Sequence, residues 1–207
     1  MRAPFPRSRR GFTLIELLVV VGIVVLLAAL SLPAFRSASA GAQLTSASQA
    51  VIDGLNGARQ IALTLNQEVE VRFYQFPDVN GGGSPPLEYQ AFQAFSLKDG
   101  VYTALGKTIF LPKTIVISSD GTLSPPLSGT AQAPPTGAPS LPGPALAYTY
   151  LPLRFRADGA IDTSVGSWNV SGYLTLCRKS ERTSASPVDF ITIQIDALSG
   201  RVRGYRP

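Results

Sequence analysis

The sequence predicts an α+β protein in which one long N-terminal helix packs against an antiparallel sheet. Three observations carry this. Residues 12–32 form an apolar run with a single charge. From 44 to 65 apolar residues recur at spacings of three and four. Beyond residue 67, short segments of alternating polarity are separated by glycine- and proline-rich turns. With 207 residues, the chain suffices for one modest domain and an additional segment.

The first element is the most distinctive. Arg2, Arg7, Arg9 and Arg10 precede Gly11 with no acid among them, and Phe12 to Leu32 then holds one charge, Glu16. As a helix these 21 residues span ~30 Å, the thickness of a bilayer's hydrocarbon core. The arginines place the N-terminal side in the cytoplasm and the C-terminal side across the membrane. Pro33 should bend or interrupt the helix. Glu16 is costly inside an apolar helix, and no Lys or Arg lies in the same run to pair with it. Its partner is expected from another chain or from a terminal amine.

A plain membrane anchor explains the apolar run but neither Glu16 nor Gly11. An ordinary secretory signal would use Ala38-Ser39-Ala40 as its cut site, although such signals have apolar cores of ~7–15 residues without a carboxylate. Gly11-Phe12-Thr13-Leu14-Ile15-Glu16, however, resembles the cleavage and methylation motif of type IV prepilins and type II secretion pseudopilins. The resemblance implies that a prepilin peptidase cuts between Gly11 and Phe12 and methylates the new amine of Phe12. It implies that Glu16 meets the N-terminal amine of a neighbouring subunit during assembly. The helix would first hold the chain in the bacterial inner membrane, with the C-terminal domain outside the cytoplasm, and later pack against other pilin or pseudopilin subunits. The implied role is structural: a minor pilin or pseudopilin of a type IV pilus or a type II secretion pseudopilus.

The helical pattern resumes after Pro33. Leu44, Ala47, Val51, Leu55, Ala58, Ala62 and Leu65 share one face, giving a helix from about 12 to 66. Gly54 and Gly57 weaken it, so packing on a sheet must support it. Strands are expected at Glu68 to Phe73, with Val69, Val71 and Phe73 on one face, and at Glu88 to Leu97 and Ile109 to Ile117. Leu151 to Arg156, Gly172 to Cys177, Phe190 to Ile195 and Arg201 to Tyr205 follow. Residues 77–86 read as a loop. Residues 118–147, with seven prolines and four glycines, read as a long, exposed and poorly ordered one. The expected organisation is a leader over 1–11, a membrane or filament-core helix over 12–32, its amphipathic continuation over 33–66, and a β-rich head over 67–207. Ala47 to Phe73, Leu153-Arg154-Phe155-Arg156-Ala157-Asp158-Gly159 and Ile191 to Arg203 resemble the H-type minor pseudopilins and T-type minor fimbrial pilins. Glu70 to Tyr74, Thr192 to Asp196, Gly200-Arg201-Val202-Arg203 and the Arg206-Pro207 end are similar to protein D of a prepilin gene cassette of Verrucomicrobia.

Composition narrows the chemistry. The +5 charge lies largely in the leader: beyond residue 11 there are 14 basic and 13 acidic residues, so a globally basic nucleic-acid-binding domain is not supported. There is no histidine and one cysteine, Cys177, which sits in an apolar alternation and reads as a buried strand residue. No catalytic constellation, metal-ligand spacing or phosphate loop is present, so neither an enzyme nor a cofactor is expected. Arg201, Arg203, Tyr205 and Arg206 crowd the C terminus. On a strand Arg201 and Arg203 face one side, Val202 the other. They form either a charged edge that blocks aggregation or a DNA-binding strip in which arginines grip phosphates and Tyr205 stacks a base.

Overall fold

The structure, a computed structural model, describes residues 12–77, 87–135, 141, 147–166, 168, 171–182, 184 and 186–207, with backbone alone for 30–38 and 171. One helix, α1 (Leu14–Leu65), precedes nine strands: β1 (Glu68–Pro77), β2 (Leu87–Lys98), β3 (Val101–Ala104), β4 (Ile109–Phe110), β5 (Ile115–Ile117), β6 (Thr149–Phe155), β7 (Ser171–Arg178), β8 (Phe190–Asp196) and β9 (Val202–Tyr205). The assigned helix is unbroken at Pro33, where an interruption was one of the two expectations. The chain divides into two compact units, Met1–Ser39 and Ala40–Pro207.

In the first unit the helix is apolar in every direction. Twelve large apolar side chains between Leu14 and Leu27 are each at least 50% exposed among the described residues.

In the second unit the helix is apolar on one side only. Leu44, Ala47, Val51, Leu55, Ala58 and Ala62 are buried as the spacing predicts. Leu65, expected with them, is half exposed because the helix ends there: Asn66 adopts φ 51° and caps it in the left-handed region. The stripe packs on an antiparallel sheet of order β6-β1-β2-β5-β7-β8-β9, with β3 and β4 also paired to β2. Val69, Val71 and Phe73 of β1 point into this core, alongside Phe92, Leu153, Leu174 and Ile193. Trp168 closes it, its Nε1 donating to the Pro152 carbonyl at 2.9 Å.

The opposite face of β1 is also covered. Glu70 and Arg72 are 2% and 6% exposed. The Arg72 guanidinium lies 4.3–4.7 Å from the ring centres of Phe95, Tyr102 and Tyr150. Glu70 accepts from Arg72 Nε at 2.7 Å through one oxygen, and from Arg154 Nη2 at 2.9 Å and the Tyr102 hydroxyl at 3.2 Å through the other. Burial works against the Arg72 charge, but the Glu70 carboxylate outweighs it and the guanidinium pKa is raised.

Three expectations change. Ile109 to Ile117 is two short strands, because Pro112 has no N–H for a ladder and its carbonyl instead accepts from Ile115 N at 2.9 Å. β3 was not anticipated. It returns through Asp99-Gly100, both at positive φ (51° and 79°), the left-handed pair that two-residue hairpins use. The segment 118–147 is not simply exposed. Ser118, Ser124 and Leu127 are buried, Thr175 N donates to Ser124 Oγ at 3.0 Å, and Tyr89 donates to the Leu127 carbonyl at 3.4 Å. Prolines remove donors from this segment, and side chains and backbone of β2 and β7 supply them instead. Residues 136–140 and 142–146 of the loop, and 78–86 of the earlier one, lie outside the described residues.

Gly54 and Gly57 of α1 sit in opposite surroundings. A Cβ on Gly54 would lie 2.4 Å from the buried Phe92 ring, so glycine permits the close approach of helix and sheet; Gly57 has nothing within 4 Å. Gly54→Ala is expected to cost about 1–3 kcal/mol by overpacking. Gly57→Ala should gain up to about 1 kcal/mol from helix propensity. Thermal denaturation of the two variants should move the midpoint in opposite directions.

Candidate functional site

The processing and assembly residues expected from the sequence lie at the start of α1. Gly11 falls outside the described residues. Phe12 precedes the helix and is 80% exposed, open to anything that works on the backbone there. Glu16 lies in the first turn. Its carboxylate accepts from Thr13 N and Thr13 Oγ1, both at 3.5 Å, while Glu16 N donates to Thr13 Oγ1 at 3.3 Å. This is a capping box: Thr13 and Glu16 satisfy backbone donors that a helix start leaves orphaned.

Thr13 thus caps Glu16 within its own run, which leaves the expected charged partner, from another chain or a terminal amine, untouched. Thr-x-x-Glu ahead of an apolar stretch is the sequence signature of this cap. These contacts are long for hydrogen bonds and engage one carboxylate oxygen, Oε2. The carboxylate thus keeps acceptor capacity for an ammonium brought by another chain, at a helix end where the dipole already favours negative charge.

The four C-terminal candidates separate. Val202 turns toward the core while Arg201 and Arg203 remain exposed, as alternation requires, and Tyr205 is 49% exposed. Arg201 and Arg203 make no ion pair among the described residues. Arg206 does not join them: it donates to Asp189 at 2.8 Å and to Thr45 Oγ1 at 3.1 Å, tying the chain end to α1. β9 pairs with β8 alone and forms an edge of the sheet.

An open cleft is lined by Asn66, Glu68, Arg156, Ala157, Asp158 and Asp162. Its carboxylates are engaged by arginines, Asp158 with Arg156 at 2.8 Å and Glu68 and Asp162 with Arg154 at 3.6 and 3.9 Å. Hydrogen bonds from Ser164 hold the Asp162 carboxyl below its ordinary range. Among the described residues no group of His, Cys, Asp and Glu is arranged to hold a metal ion. No helix among them is long and apolar enough to cross a membrane. The span expected over 12–32 runs past Ala29, the last side chain described before Ser39.

Comparison with known proteins adds three findings. Residues 6–32 match the family model of the prokaryotic N-terminal methylation motif. The type IV major pilin protein PilE1 of Neisseria gonorrhoeae is 36% identical over 101 residues, 46% of this chain and 56% of that protein; the chain spans about half the length of this curated relative. The solved minor pseudopilin EpsH from the type 2 secretion system of Vibrio cholerae is 12% identical. That match covers 80% of this chain and 98% of that one, at a TM-score of 0.45, too distant to carry an argument.

Cys177 is fully buried, and burial pushes its thiol up to about 11. At pH 8 only about one part in a thousand would be thiolate, the reactive form. A thiol-specific reagent should leave the folded protein unlabelled for hours and label one equivalent upon addition of denaturant.

Proposed function

We propose that this chain is a structural subunit of a pilus or pseudopilus, made as a prepilin and processed between Gly11 and Phe12. The observation that carries the reading is the combination at one helix start: the methylation motif over 6–32, an exposed Phe12, and a glutamate in the first turn of a helix apolar on all sides. Such a helix needs an apolar surrounding. A bilayer supplies it before assembly, and the equivalent helices of other subunits supply it afterwards. Glu16 caps its own helix in the isolated chain. On assembly it would take the amine of a neighbouring Phe12 as a second partner, because a buried carboxylate is tolerated only when charge-paired and hydrogen-bonded. The peptidase, the inner membrane and other subunits are the partners of this reading. The chain acts as an enzyme's substrate, and the proline-rich insertion and the H-type resemblance favour a minor subunit.

The test is the intact mass and N-terminal sequence of the protein from membranes, with and without a co-expressed prepilin peptidase. The expected product begins at methylated Phe12 only when the peptidase is active, and Gly11→Val abolishes it. A chain still beginning at Met1 beside an active peptidase would make this an unprocessed bitopic envelope protein. A start near Gly41 would establish the secretory-signal reading.

A second reading, capture of DNA by a minor pilin, draws on the exposure of Arg201, Arg203 and Tyr205 along an edge strand. It predicts duplex binding that weakens as salt rises. Losing two phosphate contacts through Arg201→Gln and Arg203→Gln should lower the salt slope by about 2. Unchanged binding in that variant would leave these residues as a charged edge that prevents strand addition.

A further inference from the structure

Besides the two-residue β4, three strands have a neighbour on one side only: β6 and β9 at the ends of the sheet, and β3 beside β2. β6 is covered. Gln132 exchanges both backbone hydrogen bonds with Tyr150, at 2.8 and 2.9 Å, Asp162 N donates to the Arg154 carbonyl at 2.8 Å, and the Pro152 carbonyl takes Trp168 Nε1. β9 carries Arg203, and a Cβ on its Gly204 would lie 2.8 Å from Ile52, so this strand lies tight against α1. β3 has neither protection. Its residues, Val101-Tyr102-Thr103-Ala104, include no charge and no proline, and all are exposed, Val101 by 64%. Natural edge strands are normally blunted by charge, proline or cover. β3 is nevertheless held in place: the Tyr102 hydroxyl donates to Glu70 at 3.2 Å and accepts from Arg154 at 3.1 Å.

We propose that β3 adds edge to edge, antiparallel, to β3 of a second copy of this chain. The β2–β3 register fixes which groups are offered. Leu105 N donates to the Ala94 carbonyl at 2.9 Å, so these two form a hydrogen-bonded pair, and by alternation Ser96 with Thr103 and Lys98 with Val101 are the next. The backbone N–H and C=O of Tyr102 and Ala104 therefore point away from β2. One register between two copies joins all of these groups within the strands: Tyr102 of each copy opposite Ala104 of the other. That register sets Thr103 against Thr103 in a non-hydrogen-bonded pair, with about 4.5 Å between Cα atoms, where Thr–Thr pairs are favourable. Beyond the strand ends it brings Asp99 of each copy to the level of Lys107 of the other. Both residues are exposed, and neither makes an ion pair among the described residues. This charge match selects a second copy over an unrelated extended segment. A two-fold contact closes with two chains and cannot propagate a filament, so the pairing belongs to chains outside one. The four residues of β3 bury far less than the about 1,200 Å² of a standard interface, so the contact is transient.

The test oxidises cysteine variants of the full chain in detergent micelles and follows the disulfide-linked dimer; Cys177 is fully buried and stays silent. The Cα separation expected at Thr103 lies within disulfide reach, about 4.4–6.8 Å. Thr103→Cys should therefore link to itself severalfold faster than Ala104→Cys, which is also exposed but whose counterpart is Tyr102. Association through the apolar part of α1 would raise both rates alike, so their ratio isolates the edge. Adding Asp99→Lys to the Thr103→Cys chain should slow linking severalfold by setting like charges opposite each other, and adding Lys107→Asp as well should restore it. Equal rates for Thr103→Cys and Ala104→Cys, or a Thr103→Cys rate that Asp99→Lys leaves unchanged, would overturn the pairing. Capture of Thr103→Cys in cells by a different chain, with no self-linked product, would overturn the second copy as the occupant.

Discussion

One helix must satisfy two different surroundings, and this constraint orders the rest of the molecule. Over Leu14 to Leu27 the helix is apolar around its circumference, and its large side chains are at least half exposed among the described residues. After Ala40 the same secondary structure carries a single stripe, Leu44 to Ala62, and the sheet covers it. The second half folds because burial of that stripe against Val71, Phe73 and Phe92 offsets the helix-weakening cost of Gly54 and Gly57. Among the described residues no comparable stripe of burial accompanies Leu14 to Leu27.

The sheet is shaped by the same demand for cover. Its inner face receives the helix, with Gly54 cut away for the Phe92 ring. On its outer face β1 places Glu70, Arg72 and Tyr74 where solvent would be the simplest neighbour, yet all three are buried. Three rings flank the Arg72 guanidinium and Glu70 neutralises it, so the arrangement holds only as a set. Removing one member would leave the others as uncompensated buried charges. This cluster locks β6 and the β2–β3 hairpin to β1 through Arg154 and Tyr102.

The parts legible in the sequence were those set by local periodicity. Val69, Val71 and Phe73 face inward, the helix stripe is buried, and Cys177 is a core strand residue. Local signals that compete with a stronger pattern were overlooked. Asp99-Gly100 specifies a hairpin, but β3 is exposed at all four positions and offers no apolar alternation to notice. Thr13 and Glu16 specify a capping box, a local signal that the lone charge in an apolar run overshadows. Pairings across long separations were beyond reach: Arg206 with Thr45 and Asp189, or Ser124 with Thr175, depend on where the sheet brings distant segments. For this reason the C-terminal arginines looked equivalent in sequence and are not in the fold, and a proline-rich segment read as loose is partly packed.

The central claim is that the exposed helix surface is covered by other subunits once the chain is assembled. Site-directed disulfide trapping tests it directly, since Cys177 is buried and stays silent. Single cysteines at Val20 and Val24, both more than half exposed or nearly so in the isolated chain at 50% and 58%, would be oxidised in cells that carry the assembly machinery and a prepilin peptidase. The account predicts that cross-links joining this chain to other subunits appear only when the peptidase is active. They should disappear when Gly11→Val blocks processing. Cross-links that form equally without the peptidase, or none in cells where processing to Phe12 is complete, would contradict it.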